Sequence, residues 1–204
     1  MSKNPIIVFE GIEGSGKTLH INNVAKHLKK IKKNFIKIRE PGGSFNSEKI
    51  RKLILNNKSN FNNFTDLLLY LSSRSENIDK IIKKNYKKKI ILIDRFVDST
   101  IAYQHYGMNI NIDLINKINK FLLGNIKVKF TFLNLVNEKN FKERLFKRKN
   151  LNRYDKFKLI FYKRVQNGFI KIANKNKSKY LKIDSNNSIY DNKKYIINKI
   201  NQLI

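Results

Sequence analysis

Eight residues near the start constrain this chain more than anything else in it. Gly11-Ile12-Glu13-Gly14-Ser15-Gly16-Lys17-Thr18 fits the pattern G-x-x-x-x-G-K-S/T in full. The apolar run Ile6-Ile7-Val8-Phe9 precedes it and reads as a buried strand. Lys17 to Ile31 follows, with Ile21, Val24, Ala25, Leu28 and Ile31 at helical spacing. Glycines let backbone N–H groups turn inward around an anion, and the opening helix adds the positive end of its dipole. The pattern predicts nucleoside-triphosphate binding across Gly11, Ile12, Glu13, Gly14, Ser15, Gly16, Lys17 and Thr18. Lys17 is expected at the β- and γ-phosphates, and the Thr18 hydroxyl on Mg²⁺.

The remaining pattern extends this strand–turn–helix unit into a sheet. Phe35 to Arg39, Ile90 to Ile93, Val128 to Leu135 and Tyr180 to Ile183 read as further strands. Helical periods cover Ser47 to Leu55, Thr65 to Lys84, Asp98 to Tyr106, Leu114 to Leu123, Glu138 to Lys147, Phe157 to Asn174 and Ile189 to Leu203. Lys149 to Tyr154 is a polar, basic break. Apolar strands alternating with helices imply an α/β, three-layer P-loop fold, a five-stranded parallel sheet with helices on both faces. No linker or repeat divides the chain, so residues 1–204 read as a single domain. In such folds ligands bind beyond the carboxyl ends of the strands. Motifs fall at three of those ends, after Glu10, after Arg39 and at Asp94.

Composition excludes several classes. The 204 residues contain no Cys, which removes disulfide scaffolds, Cys-based zinc sites and thiol nucleophiles. No apolar run reaches about 18 residues, the length of a membrane span, and the start lacks a signal-peptide pattern, so the chain reads as cytoplasmic. The net charge of +29 invites a nucleic-acid reading. But Lys, Asn and Ile make up nearly half the chain, share A/T-rich codons, and Lys is spread along the whole length. The excess therefore reads as solvated charge set by base composition, and nucleic acid is not the expected partner. Against 44 Lys plus Arg, only eight residues are Arg: 39, 51, 74, 95, 144, 148, 153 and 164. In a chain that uses Lys by default, each Arg is a candidate for the planar, two-sided grip on phosphate that Lys cannot make.

Three runs together resemble the thymidylate kinase family. They are Phe9-Glu10-Gly11 with Glu13, then Arg39-Glu40-Pro41-Gly42-Gly43, then Asp94-Arg95-Phe96 followed by Ser99, Ala102, Tyr103 and Gln104. The resemblance runs from about Ile6 to Ala173. It implies transfer of the γ-phosphate of ATP to dTMP with Mg²⁺, a step of dTTP biosynthesis, by a homodimer. It further implies that Glu13 meets the deoxyribose 3′-hydroxyl and that Arg51 and Arg95 grip the acceptor phosphate. Arg74 matches the arginine that reads a thymine carbonyl, Tyr70 the stacking aromatic, and Thr100 a polar group at the base edge. Tyr103 matches the tyrosine beside C2′, Ser99 and Gln104 share its motif, and Arg39 and Pro41 wall the acceptor pocket. Residues of about 147–156 resemble a mobile lid that supplies arginines to the transferring phosphate, which makes Arg148 and Arg153 expected catalytic groups beside Lys17, Arg95 and Glu13. Asp94 is expected to share Mg²⁺ with Thr18. Leu19, His105 and the run Asn152-Arg153-Tyr154-Asp155 depart from the family pattern.

The acceptor is a phosphate monoester with a second pKa of about 6, so it is already anionic at neutral pH and needs no strong base. His20, His27 and His105 accordingly read as surface or packing residues without obvious partners. The difficulty lies in bringing two anions into line, which calls for fixed cations and exclusion of water. Three other readings remain open at this level: a kinase for a different monophosphate or nucleoside, an ATP-dependent nucleic-acid-binding protein, and a module that binds ATP without turnover.

Overall fold

A computed structural model describes residues 4–149 and 151–204. Asn150, inside the expected lid, lies outside the described residues. Five strands, β1 (Ile6–Glu10), β2 (Phe35–Arg39), β3 (Ile90–Asp94), β4 (Phe130–Leu135) and β5 (Tyr180–Asp184), form one parallel sheet in the order β2-β3-β1-β4-β5. The α/β class with a five-stranded parallel sheet is thus as the sequence implies. The central strands are apolar on both sides because helices cover both. Ile7 and Phe9 pack toward Ile21, Val24 and Leu28 of α1 (Lys17–Lys30) and Ile196 and Ile200 at the chain end. Ile6 and Val8 point the other way, into a cluster with Ile78, Ile82 and Phe96.

Strand register brings the candidate residues together. Asp94 pairs with Phe9 on one side and Arg39 on the other. Three motif-bearing strand ends therefore meet where the order departs on either side of β1, the usual position of a ligand crevice.

The helices follow the sequence pattern with instructive exceptions. Helices α2 (Phe45–Leu55) and α3 (Asn63–Asn77) begin at Ser44 and Asn62, whose side chains accept the amides of Ser47 and Thr65. The expected helix from Thr65 to Lys84 widens into a π-helical stretch, Ile78–Ile82, before ending in α4 (Lys83–Asn85). Helix α5 (Val97–Thr100) likewise passes into a π-helical stretch, Ile101–Gly107, which carries Tyr103 and Gln104. Extra residues per turn re-aim side chains, and such turns recur at functional sites. The remaining helices are α6 (Ile112–Leu123), α7 (Glu138–Phe146), α8 (Leu159–Lys175) and α9 (Ile189–Leu203). No helix among the described residues is long and apolar enough to cross a membrane.

The polar break requires a correction. Arg153–Lys156 is a 3₁₀ turn with a capping box between Asn152 and Asp155, and Tyr154 and Asp155 are buried. Sequence polarity misleads here because Tyr154 is the buried anchor, packed near Tyr70, Tyr103 and Phe157.

Candidate active site

Helix α1 starts at Gly16, which sits at φ 85° and offers no side-chain cap. The first amides of α1 are thus left without the partners that Ser44 and Asn62 give to α2 and α3, as an anion-binding terminus requires. At the other end of the loop Gly11 has φ 138°, and a Cβ there would collide with the backbone oxygen of Asn134. Lys17 is buried and folds over its own loop, donating to the Ile12 carbonyl at 2.7 Å. Burial, then the nearby Arg95, push its ammonium down to about 8. The Thr18 hydroxyl, in the first turn of α1, donates to Asp94 Oδ2 at the end of β3 at 2.9 Å.

Beside this loop lies a cleft of about 330 Å³. Glu13, Gly14, Lys17 and Thr18 line one side. Arg39, Glu40, Pro41, Arg51, Leu55, Tyr70, Asp94, Arg95, Ser99, Tyr103 and Gln104 line the rest, with Arg144 of α7 and Arg148, Asn152 and Tyr154 from the segment after it. Most of the side chains expected from the sequence therefore share one cavity. At its centre Arg95 Nη2 meets Glu13 Oε1 at 2.8 Å, and the Tyr103 hydroxyl donates to the other Glu13 oxygen. Burial opposes ionisation of Glu13, but Arg95, Lys17 and Tyr103 outweigh it and hold the carboxyl below its ordinary value. Arg51 donates to the Pro41 carbonyl at 2.7 Å. Arg39 is held by Glu48 at 3.0 Å, and Glu48 also accepts the Gly43 amide. The wall is thus a set of cations kept in place by carboxylates and main-chain oxygens.

Three expected contacts are not on this wall. Arg74 is fully buried behind it. Its guanidinium donates to Glu40 at 2.8 Å, to Asn119 Oδ1 at 2.7 Å and to the Phe96 carbonyl at 2.9 Å. It supports the Glu40–Pro41 loop and the Arg95–Phe96 turn from within, where the sequence reading had it at a base edge. Thr100 is also buried, its hydroxyl without a hydrogen-bond partner among the described residues, and is not among the cleft-lining residues. Arg153 is not among the cleft-lining residues. It binds Asp66 and donates to the Ile54 carbonyl, so the expected reach to a transferring phosphate is not present. Arg148 does reach the cleft, tethered to Asp155 at 2.6 Å. Gly11, Ile12, Ser15 and Gly16 form the loop's inner frame.

Two histidines have partners after all: His27 bonds Asn201 and His105 bonds the Ile110 carbonyl. His20 is buried beside Gly16, and burial lowers its pKa. Leu19 is exposed and is not among the residues that line the cleft.

Sequence reasoning missed a layer of acids. Glu10, Glu40 and Asp66 are all buried, and each holds groups that form the cleft. Asp66 accepts from Arg153, from the Tyr154 hydroxyl and from Gln104 at 3.5 Å. The usable signal was scarcity: with 15 acidic residues in the chain, an acid inside an apolar period, as in Thr65-Asp66-Leu67-Leu68, is as telling as a rare Arg.

The chain resembles known proteins over most of its length. Residues 9–196 match the family described as thymidylate kinase. The thymidylate kinase of Thermosipho africanus (strain TCF52B) is 40% identical over 184 residues, 90% of each chain. That of Sulfurihydrogenibium sp. (strain YO3AOP1) is 37% identical over 198 residues, 96% of each. The crystal structure of thymidylate kinase from Ehrlichia chaffeensis superposes with a TM-score of 0.79 at 32% identity, covering 97% of this chain and 98% of the other.

Proposed function

We infer that this chain, which belongs to the thymidylate kinase family, phosphorylates dTMP to dTDP with ATP as the donor. The observation that carries the reading is the meeting of two cationic sets in one cleft: the phosphate loop with Lys17 on one side, and Arg39, Arg51 and Arg95 on the other. One set suits a triphosphate and the other a monophosphate, which is the arrangement that in-line transfer requires.

In the proposed reaction a dTMP phosphate oxygen attacks the γ-phosphorus, the bond to the β,γ-bridging oxygen breaks, and ADP leaves. The acceptor oxygen is already negative, so no side chain takes a proton from it. Loop amides and Lys17 hold the triphosphate. Arg95 and Arg51 hold the acceptor phosphate, and Arg148 brings charge from the segment after α7. Glu13 is placed to accept the 3′-hydroxyl once that hydroxyl replaces the bond from Tyr103. Tyr103 then crowds C2′ and disfavours a ribose. Tyr70, with Tyr154 edge-on to it at 6.0 Å, is the stacking surface for the base. Gln104 lies close enough to face the base edge. Tyr103 and Tyr154 exclude water that would otherwise compete as the nucleophile.

Mg²⁺ fits the residues present. Thr18 and Asp94 give a hydroxyl and a carboxylate side by side, both oxygen donors. No group of three or more His, Cys, Asp or Glu among the described residues could enclose an ion. A cation held by one or two protein oxygens together with water and substrate phosphates is the usual pattern for Mg²⁺. When bound, it neutralises charge on the β- and γ-phosphates.

A homodimer is part of the proposal. Phe45 on α2, Phe64 and Leu68 on α3 and Phe121 on α6 are exposed large apolar residues, which a second copy would cover. Sedimentation at micromolar concentration tests this, and a single species of monomer mass rejects it. The catalytic reading is tested by dTDP formation with Mg-ATP and dTMP, beside dUMP, GMP, CMP, AMP and thymidine. Turnover should be greatest with dTMP. Absence of dTDP, or preference for another acceptor, overturns the assignment.

A further inference from the structure

Arg95 occupies a position that a residue with a Cβ seldom takes. Its φ is 67°, in the left-handed region, at the turn that leaves β3. Such a conformation persists only where neighbours impose it. Here the neighbours are the last two residues of β1. The Arg95 amide donates to the Phe9 carbonyl at 3.0 Å. The Glu10 carboxylate then collects the donors just beyond. Its Oε1 accepts the Phe96 amide at 2.7 Å and the Ser99 amide at 3.3 Å, and its Oε2 accepts the Ser99 hydroxyl at 2.5 Å.

Glu10 is completely buried and does not line the cleft. A carboxylate at such a site is costly, and an apolar side chain would fill the volume more cheaply. What the carboxylate supplies is a partner for three donors that a sharp turn would otherwise leave unmade. Those donors belong to Phe96 and Ser99, one and four residues after Arg95, while Phe9 grips Arg95 itself. The turn is clamped on both sides of its strained residue, and Ser99 Oγ lies 3.5 Å from Arg95 Nη1.

We propose that Glu10 is a positioning residue for acceptor recognition: it fixes the turn from Arg95 to Ser99 so that the Arg95 guanidinium faces the monophosphate. It touches neither substrate. The inference rests on the reading of this cleft as the dTMP site. It separates the two substrates, because the phosphate loop leaves β1 on the other side of Glu10 and its amides are not among the bonds Glu10 makes.

Calorimetric titration with dTMP, and separately with a non-hydrolysable ATP analogue, tests the proposal without reference to turnover. Glu10→Ala should weaken dTMP binding tenfold or more and leave the analogue within twofold. Glu10→Gln keeps an oxygen for the two amides and should hold dTMP within threefold of wild type. Should Glu10→Ala fail to fold, Glu10→Asp, which withdraws the carboxylate by one methylene, should show the same selective loss. Unmoved dTMP affinity, or equal loss of both ligands, overturns the proposal. Wild-type protein that binds the analogue but not dTMP overturns the reading of the cleft, and this inference with it. Wild-type dTMP binding with no selective loss in the variants overturns the inference alone.

Discussion

Arg74→Met removes one charge from a sealed pair. Arg74 and Glu40 are 1% and 4% exposed and 2.8 Å apart, and burial pushes the Glu40 carboxyl upward even with Arg74 beside it. Without Arg74, Glu40 is a buried charge with no counterion, and the Phe96 carbonyl and Asn119 lose a donor each. Breaking a buried pair by removing one partner costs about 3–5 kcal/mol. For a chain of 150–250 residues each kcal/mol moves Tm by about 2–4 °C, so a fall of roughly 6–20 °C is expected. Scanning calorimetry at pH 8 reads it directly. At pH 5 the fall should be smaller. The unpaired Glu40 takes a proton more readily folded than unfolded, so the penalty grows only as pH rises through its unfolded value and beyond. Glu40→Gln added to Arg74→Met should recover much of the loss, since two neutral partners leave no buried charge. If Arg74→Met melts within about 2 °C of wild type, the reasoning from burial is refuted. The double variant also separates two roles. A residue that reads the base from the cleft would lose dTMP affinity even in the restored protein, whereas a support behind the wall would not.

Three further outcomes follow from the same geometry. Lys17, lowered to about 8 by burial, regains its proton against a triphosphate, so ATP binding at pH 8.5 should take up roughly 0.5–0.8 proton and weaken above that pH. Calorimetry in buffers of different ionisation enthalpy measures this, and buffer-independent heats contradict it. Asp66→Asn and Arg153→Ala should each lower kcat and expose the 151–158 segment to protease, and the double variant should fall short of additivity because the two residues share one ion pair. Additive effects, or unchanged kcat in both, would show that the contact does not shape the cleft. Glu10 lies at about 7 against an ordinary 4.5, because burial and then Asp98 penalise its charge. The folded state keeps this proton while the unfolded chain releases it. Ionisation therefore costs the fold about 3 kcal/mol by pH 8. The Tm of Glu10→Gln minus that of wild type should be more positive at pH 8 than at pH 5, and a constant difference would remove Glu10 from the pH response.

The sheet was legible because its signals are local. Ile6 to Phe9 and Ile90 to Ile93 are apolar throughout, as strands covered on both faces must be. The phosphate loop was legible because it is contiguous, and the glycines that shape it are few. What escaped was whatever depends on a partner distant in sequence. Arg74 is drawn inward by Glu40 and Asn119, 34 and 45 positions away. Arg153 is held by Asp66, 87 positions away. Periodicity marks Arg74 and Tyr70 as sharing a helix face, and Tyr70 does line the cleft. It carries no information on which rare acid claims the guanidinium. The π-helical stretch through Tyr103 escaped for a related reason. Its extra width accompanies close packing on α8, where Gly107 abuts Phe161 and Gly168 abuts Tyr106, contacts that no local pattern displays.

The distribution of carboxylates explains why the net charge of +29 says little about the site. Of eight arginines, five are paired with acids: Arg39 with Glu48, Arg74 with Glu40, Arg95 with Glu13, Arg148 with Asp155 and Arg153 with Asp66. Arg51, Arg144 and Arg164 donate to main-chain carbonyls. The ion-paired lysines 80, 83, 142 and 163 are each more than half exposed, where a pair contributes little. A solvated ammonium needs no protein counterion, but a guanidinium held partly out of water does, and it must be held to present a fixed fork to phosphate. A base composition that multiplies Lys therefore enriches the surface and leaves the clamp untouched. The constraint falls on the few acids: Glu13, Glu48 and Asp155 hold the cleft-lining Arg95, Arg39 and Arg148, and replacing any of these three should disturb phosphate recognition more than removing several lysines would.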